Sequence, residues 1–256
     1  MRKRLRSKLA AFLSVLAILF ASGCTMARRP VSEKPSRESF REHYERGVAL
    51  FNRGEYDGAA SALSRALSIY PGSAVALNLL GICRFQAKDY PAAKTCFEKA
   101  TTADPLYAQA FNNLAGVYFV QGDYDRSEAS FKKALEINPN LASSLYSLGN
   151  LYLSQDRTEE GLAILAKAIA LDPDYLENHQ ALTTQTALEG FRSTEAFFLY
   201  ARLYAQAGNI AKTVFYLDKA DGAGFKEWGR ILSDVAFDKV RDAAPLQEFL
   251  RARLKF

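Results

Sequence analysis

The chain is poor in the residues from which active sites are built. Two histidines, His43 and His179, and three cysteines, Cys24, Cys83 and Cys96, are spread over 256 residues. No Cys–His or carboxylate–His spacing suits a metal, so no metal ligands are assigned. No glycine-rich phosphate loop, nucleophile elbow or HExxH motif is present, so no cofactor and no catalytic residue is expected. Carboxylates such as Asp89, Asp123 and Asp156 fall at turns, where they cap helices or meet water. The apolar stretch Leu9–Phe20, broken by Ser14, is shorter than the roughly 20 residues a membrane-spanning helix needs. These absences weigh against an enzyme and against a membrane span.

What the chain has is a period. Pro71, Pro105, Pro139 and Pro173 stand 34 residues apart. Twenty-four residues before each proline come Gly47, Gly81, Ala115 and Gly149. Eight before come Leu63, Phe97, Phe131 and Leu165, and five before come Ala66, Ala100, Ala134 and Ala168. Within 108–141, Phe111, Leu114, Tyr118 and Phe119 recur at helical spacing, Gly122-Asp123 breaks the helix, and Phe131, Ala134, Leu135 and Ile137 make a second stripe. Asn138-Pro139 ends it, because the residue before proline is disfavoured in the α region. The small residues on the first helix face Ala59, Ala93, Ser127 and Gly161 on the second, which lets paired helices approach closely. Neither helix buries its apolar face alone, so stacked units share a core.

A 34-residue helix–turn–helix unit with these residues resembles the tetratricopeptide repeat (TPR) family over about 40–175. The resemblance implies an all-α fold, a right-handed α-solenoid with a C-terminal helical cap, and a role in binding other proteins. The units fall at 40–73, 74–107, 108–141 and 142–175. A degenerate fifth unit is expected at 194–227, where Tyr204, Gly208-Asn209, Leu217 and Ala220 match Tyr118, Gly122-Asp123, Phe131 and Ala134. Residues 176–193 then hold an inserted helix; the alternative pairs 176–190 with 194–207. The tail, 228–256, resembles an ending of some bacterial TPR arrays through Gly224-Phe225, Trp228, Leu232, Asp234, Phe237, Arg241, Pro245, Phe249 and Leu250. Trp228, Phe237, Phe249 and Leu250 are expected to bury as a cap, with Lys239, Arg241, Arg251 and Arg253 facing water.

The first 23 residues have the form of a secretory signal, with Arg2, Lys3, Arg4, Arg6 and Lys8 ahead of the apolar stretch. Ala21-Ser22-Gly23-Cys24 resembles the bacterial lipobox, which implies cleavage before Cys24 and acylation of its thiol, palmitate included. An uncleaved anchor, or a plain signal with a chance cysteine, is the alternative. Two or three acyl chains anchor a protein stably where one does not. Thr25, in place of aspartate, favours the outer membrane facing the periplasm, or the cell membrane surface in an organism with one membrane. Removing residues 1–23 takes five of 33 basic residues and none of 28 acidic ones, leaving 28 of each. The basic balance thus belongs to the leader, and no nucleic-acid partner is expected. Residues 24–39 read as the lipidated cysteine and a flexible tether. In an oxidising compartment Cys83 and Cys96 are either a disulfide or two packed thiols.

In TPR arrays the partner lies in a groove formed by the first helices. By that resemblance, Tyr44, Asn78, Asn112 and Tyr146 form one groove column, Phe51, Phe85, Phe119 and Leu153 another, and Val48, Ile82, Gly116 and Asn150 lie between. Amides can bond a peptide backbone while aromatics supply burial; the alternative is that the Phe column packs between repeats. The positions that clamp a C-terminal carboxylate in chaperone-binding TPR domains are here Tyr44, Val48, Leu79, Gln109 and Asn113, none cationic. The expected partner is therefore an extended or helical, apolar or neutral segment. The expected role is a membrane-tethered envelope scaffold, pilotin-like for a type IV pilus secretin or an adaptor for peptidoglycan hydrolases or proteases. A glycan-binding module or an enzyme is the rival class, and self-association through an uncapped first repeat a further one.

Overall fold

The computed structural model describes residues 37–175 and 194–254. The signal at 1–23, Cys24, tether residues 25–36 and the helix expected within 176–193 lie outside them. The described residues from Ser39 onward form one compact unit. Its helices are α1 (Arg37–Asn52), α2 (Tyr56–Ile69), α3 (Ala74–Gln86), α4 (Tyr90–Ala103), α5 (Ala108–Val120), α6 (Tyr124–Ile137), α7 (Ala142–Ser154), α8 (Thr158–Leu171), α9 (Thr194–Gln206), α10 (Ile210–Gly222), α11 (Arg230–Ser233) and α12 (Ala244–Arg253). No strand occurs among the described residues. The helix α1 begins inside the stretch read as tether, so residues 37–39 are helical.

The helices pair in sequence order, α1 with α2 through α9 with α10, as an all-α solenoid. The turns show why. Each second helix of the first four units ends in an extended residue before proline: Tyr70, Asp104, Asn138 and Asp172 have φ between −131° and −148° and ψ between 87° and 97°. The side chains of Asp104, Asn138 and Asp172 then accept from the amide two residues on, an Asx turn that closes the corner. Asp89, Asp123 and Asn209 cap the second helices of their units by accepting from Ala92, Arg126 and Lys212.

Packing follows the small residues. A Cβ at Gly81 would stand 2.5 Å from the Phe97 ring, and one at Gly47 2.8 Å from Leu63. In the third unit Ala115 takes that place, and the Ser127 hydroxyl donates to its carbonyl at 2.9 Å. First helices also pack on the second helix of the preceding unit: Leu80 joins Ala59 and Leu63, Leu114 joins Phe97, and Leu148 joins Phe131.

One ion cluster locks the third unit to the fourth. The Glu128 carboxylate lies 2.6 Å from both Lys132 and Arg157 and accepts from the Tyr152 hydroxyl at 3.0 Å. Arg157 also reaches Glu160 at 2.7 Å and covers the Tyr152 ring at 3.9 Å. Burial pushes the Glu128 carboxyl up, but hydrogen bonds from Arg157, Lys132 and Tyr152 outweigh it and hold the group at about 2, below its ordinary 4.5. A carboxylate with a depressed value stabilises the fold above its ordinary value and loses that contribution as pH falls through the folded one. The stability gap between wild type and Glu128→Gln, read by urea denaturation, is therefore expected to be full at pH 7. It should narrow below about pH 4.5 and close near pH 2. A gap constant from pH 7 to 2.5 would refute the assignment.

The C-terminal segment caps the last pair. Trp228, Phe237, Phe249 and Leu250 are buried, with Phe237 5.9 Å from Phe198 and Trp228 edge-on to Phe249 at 5.0 Å. Two of the cations expected to face water do not. Arg241 is half-buried and bonds Asp238 and the Asp234 carbonyl. Arg253 lies 3.6 Å above the Phe249 ring and pairs with Asp218 and Asp221. A guanidinium is planar and weakly hydrated, so it packs on rings where an ammonium would not.

Candidate functional site

The faces of α1, α3, α5 and α7 run side by side, with α3 touching α5 and α5 touching α7. The residues expected to line a groove there behave in three ways.

The first is a hydrogen-bonded ladder. The Asn78 amide donates to the Tyr107 hydroxyl at 3.4 Å and accepts from Asn113 at 2.9 Å. Asn112 donates to Asn113 at 3.2 Å, and the Ser144 hydroxyl donates to Asn112 at 2.9 Å. Three units are thereby joined by side chains alone. Asn78 and Asn112 are buried, so they are structural rungs rather than open amides. Their repeat partners Tyr107, Asn113 and Ser144 complete the ladder. Asn113 was legible only as a non-cationic clamp position, and no sequence signal singled out Tyr107 or Ser144.

The second is a set of ring pairs. Phe51 meets Tyr56, Phe85 meets Tyr90 and Phe119 meets Tyr124, with centroids 5.7, 5.2 and 5.6 Å apart. Each pair clamps the turn between the two helices of its unit. Phe85 is buried among Ala93, Phe97, Leu114 and Val117, and Leu153 is buried against Gly161. The groove assignment of Phe85 and Leu153 is thus corrected: Leu114 and Val117 of α5 pack against the Phe85 ring, and Leu153 fills the space that Gly161 leaves. Phe51 and Phe119 remain half-buried.

The third is the fourth unit, whose inner face is closed. Tyr146 is fully buried, stacks on Tyr175 at 5.1 Å and donates to the Asp172 carbonyl at 2.9 Å. Asn150 is 1 % exposed and accepts from the Tyr200 hydroxyl at 2.8 Å. Burial pushes the Tyr146 and Tyr200 hydroxyls up, so both stay protonated donors. Neither Tyr146 nor Asn150 is available to a ligand, and Tyr200 comes from α9, whose register the period does not predict. The Asn150 amide nitrogen and the Ser147 hydroxyl are buried with no hydrogen-bond partner among the described residues.

What stays half-exposed on this surface is Tyr44, Val48, Phe51, Ile82 and Phe119, together with Leu79 and Asn113. The accessible strip therefore belongs to the first three units, and it is apolar with amide edges and no cation. Cys83 and Cys96 are free thiols, one buried and one half-buried, in the core of the first two units. The disulfide alternative is thereby corrected in favour of packed thiols. Burial raises both, Cys83 to about 11, so neither is a reactive thiolate at neutral pH. Among the described residues no group of three His, Cys, Asp or Glu could hold a metal, and no helix is long and apolar enough to cross a membrane.

Comparison with known proteins agrees with this architecture. Two family models, each described as tetratricopeptide repeat, match residues 50–116 and 106–174. No curated protein matches the sequence. Among solved structures, the chain is similar to TTC0263, a thermophilic TPR protein of Thermus thermophilus, at 18 % identity and a TM-score of 0.52, covering 85 % of this chain and 100 % of that one. It is similar to MamA protein at 19 % identity and a TM-score of 0.51, covering 77 % and 96 %. With the 34-residue period, the paired helices and the two matching models in agreement, the chain is a tetratricopeptide-repeat protein.

Proposed function

We propose that the protein is a non-catalytic scaffold that holds a segment of another protein against the first helices of its first three units. The observation that carries this reading is the half-exposed strip of Val48, Ile82, Phe51 and Phe119 beside Asn113, laid over a ladder of bonded amides. The ladder keeps the strip rigid, so little ordering cost is added on binding. An apolar strip without cations suits a neutral extended or helical segment rather than an acidic tail. Cys24 supplies the address: acylated, it tethers the scaffold to the outer membrane on its periplasmic side. A pilotin-like role, escorting an envelope secretin, is the assignment.

The test is site-specific photo-cross-linking in the protein's own cells. A benzophenone side chain at Val48 or Ile82 is expected to capture one and the same partner, and one at exposed Thr102 on α4 is not. Val48→Asp with Ile82→Asp should weaken recovery of that partner at least tenfold with helicity unchanged, and Cys24→Ala should release the protein from the membrane fraction. Capture from Thr102 but not from Ile82 would overturn the binding face. A captured hydrolase or protease, in place of a multimeric secretin, would replace the pilotin-like role by that of an adaptor.

A further inference from the structure

The first unit differs from the others where it has no preceding unit to meet. In units two to four, the fourth and seventh places carry Leu77 and Leu80, Phe111 and Leu114, Leu145 and Leu148. The seventh-place leucines pack on the preceding second helix. On α1 the same places hold His43 and Arg46. A flank of this polarity is not built to stack on the apolar end of a second copy.

That flank opens into a cleft of about 270 Å³ between α1 and α2, lined by His43, Arg46, Leu50, Ser61 and Arg65 among others. A second cleft of about 510 Å³ shares Ser61 and Arg65 and runs along α2, past Ser64 and Ser68, to Arg84 on α3. Arg46, Arg65 and Arg84 lie within ion-pair reach of no carboxylate among the described residues. Other arginines are paired, among them Arg157, Arg230 and Arg253. The carboxylates of the clefts are Glu55, 3.9 Å from Arg53, and Asp57. Three arginines and two acids line the clefts, an excess of one positive charge, although residues 24–256 carry equal numbers of bases and acids. The serines keep the clefts polar and unfilled, and the guanidiniums offer forked donors that match phosphate oxygens.

The position along the chain points to the occupant. Cys24 precedes Arg37, the first residue of α1, by thirteen residues, which reach at most about 45 Å fully extended. A chain held at Cys24 has the first unit, and not the C-terminal cap, at the end of its tether. Those thirteen residues add Arg28, Arg29 and Lys34 against Glu33.

We propose that the outer flank of the first unit is a docking surface for anionic phospholipid headgroups, with Arg46, Arg65 and Arg84 donating to their phosphates. Docking there orients the array with its first helix pair toward the membrane. The membrane setting is that of the proposed function; the surface chemistry stands on the clefts and their arginines.

The test uses residues 25–256, which retain the whole compact unit and lack the acylated cysteine, so its outcome is independent of lipidation. Sedimentation is measured with vesicles of 30 % phosphatidylglycerol in phosphatidylcholine and with phosphatidylcholine alone. Binding is expected only to the anionic vesicles, weakening as salt rises from 50 to 300 mM. Arg46→Gln, Arg65→Gln and Arg84→Gln together should weaken it about tenfold or more, with the circular dichroism spectrum unchanged. Each single substitution, checked the same way, should give part of that loss. Inorganic phosphate at 10 mM should leave vesicle binding in place. No binding, equal binding to both vesicles, or an unchanged triple variant overturns the proposal. So does a loss confined to Arg28→Gln with Arg29→Gln, or abolition by inorganic phosphate, which would mark a site for the free ion.

Discussion

Gly149→Val is expected to destabilise the protein by about 3 kcal/mol, lowering its melting temperature by roughly 6–12 °C. The cause is the contact between α7 and α8, where glycine stands on both sides. A Cβ at position 149 would lie 2.5 Å from Leu165 Cγ and 3.2 Å from the Gly161 carbonyl oxygen; one at 161 would lie 2.9 Å from the Gly149 oxygen. Leu165 is fully buried and branched, so it has no free direction in which to yield. Glycine in a helix costs about 1 kcal/mol against alanine, so Gly149→Ala recovers part of its clash and Gly149→Val little of it. Gly222, the last residue of α10, has nothing within 4 Å of its Cβ position, so Gly222→Ala should be neutral or slightly stabilising. Urea denaturation of both variants decides the matter: if Gly149→Val melts with Gly222→Ala, the helices are not in contact as described.

Phe85→Ala is expected to cost about 3–5 kcal/mol, the range for truncating a buried phenylalanine. Phe85 is 7 % exposed and its ring meets Tyr90 at 5.2 Å. Truncation empties the junction of α3, α4 and α5 and loses an aromatic pair worth about 0.5–1.5 kcal/mol beyond its area. Phe51 and Phe119, at the same place in their units, are half-buried and should cost less when truncated. Thermal melts of the three variants give the ranking. A Phe85→Ala protein that melts like the wild type but loses its partner would return the ring to the binding surface.

Sequence is informative about one of these two contacts and not the other. The Gly149–Gly161 contact is readable from the period, because small residues recur on both helices at the crossing. The place of Phe85 is not. Its column has the same 34-residue register as Ile82 and Val48, and register says only that the members of a column are equivalent, not which way they face. What decides it is the packing of Leu114 and Val117 from the next unit against the Phe85 ring, a contact between residues about thirty positions apart. Asn78 and Asn112 likewise present as free amides in a sequence, and only their neighbours Asn113, Ser144 and Tyr107 use up their bonds.

Helix pairs, their corners and the repeat family are legible in the chain alone, since prolines, caps and small residues act within a few turns. Tertiary structure decided what is open. It closed the inner face of the fourth unit with Tyr175 and Tyr200, turned Phe85 and Leu153 inward, and left His43 and Arg46 on a flank where later units bury leucine. Accessibility is a property of what lies opposite a side chain, and in a solenoid that is set by the stacking of the next unit.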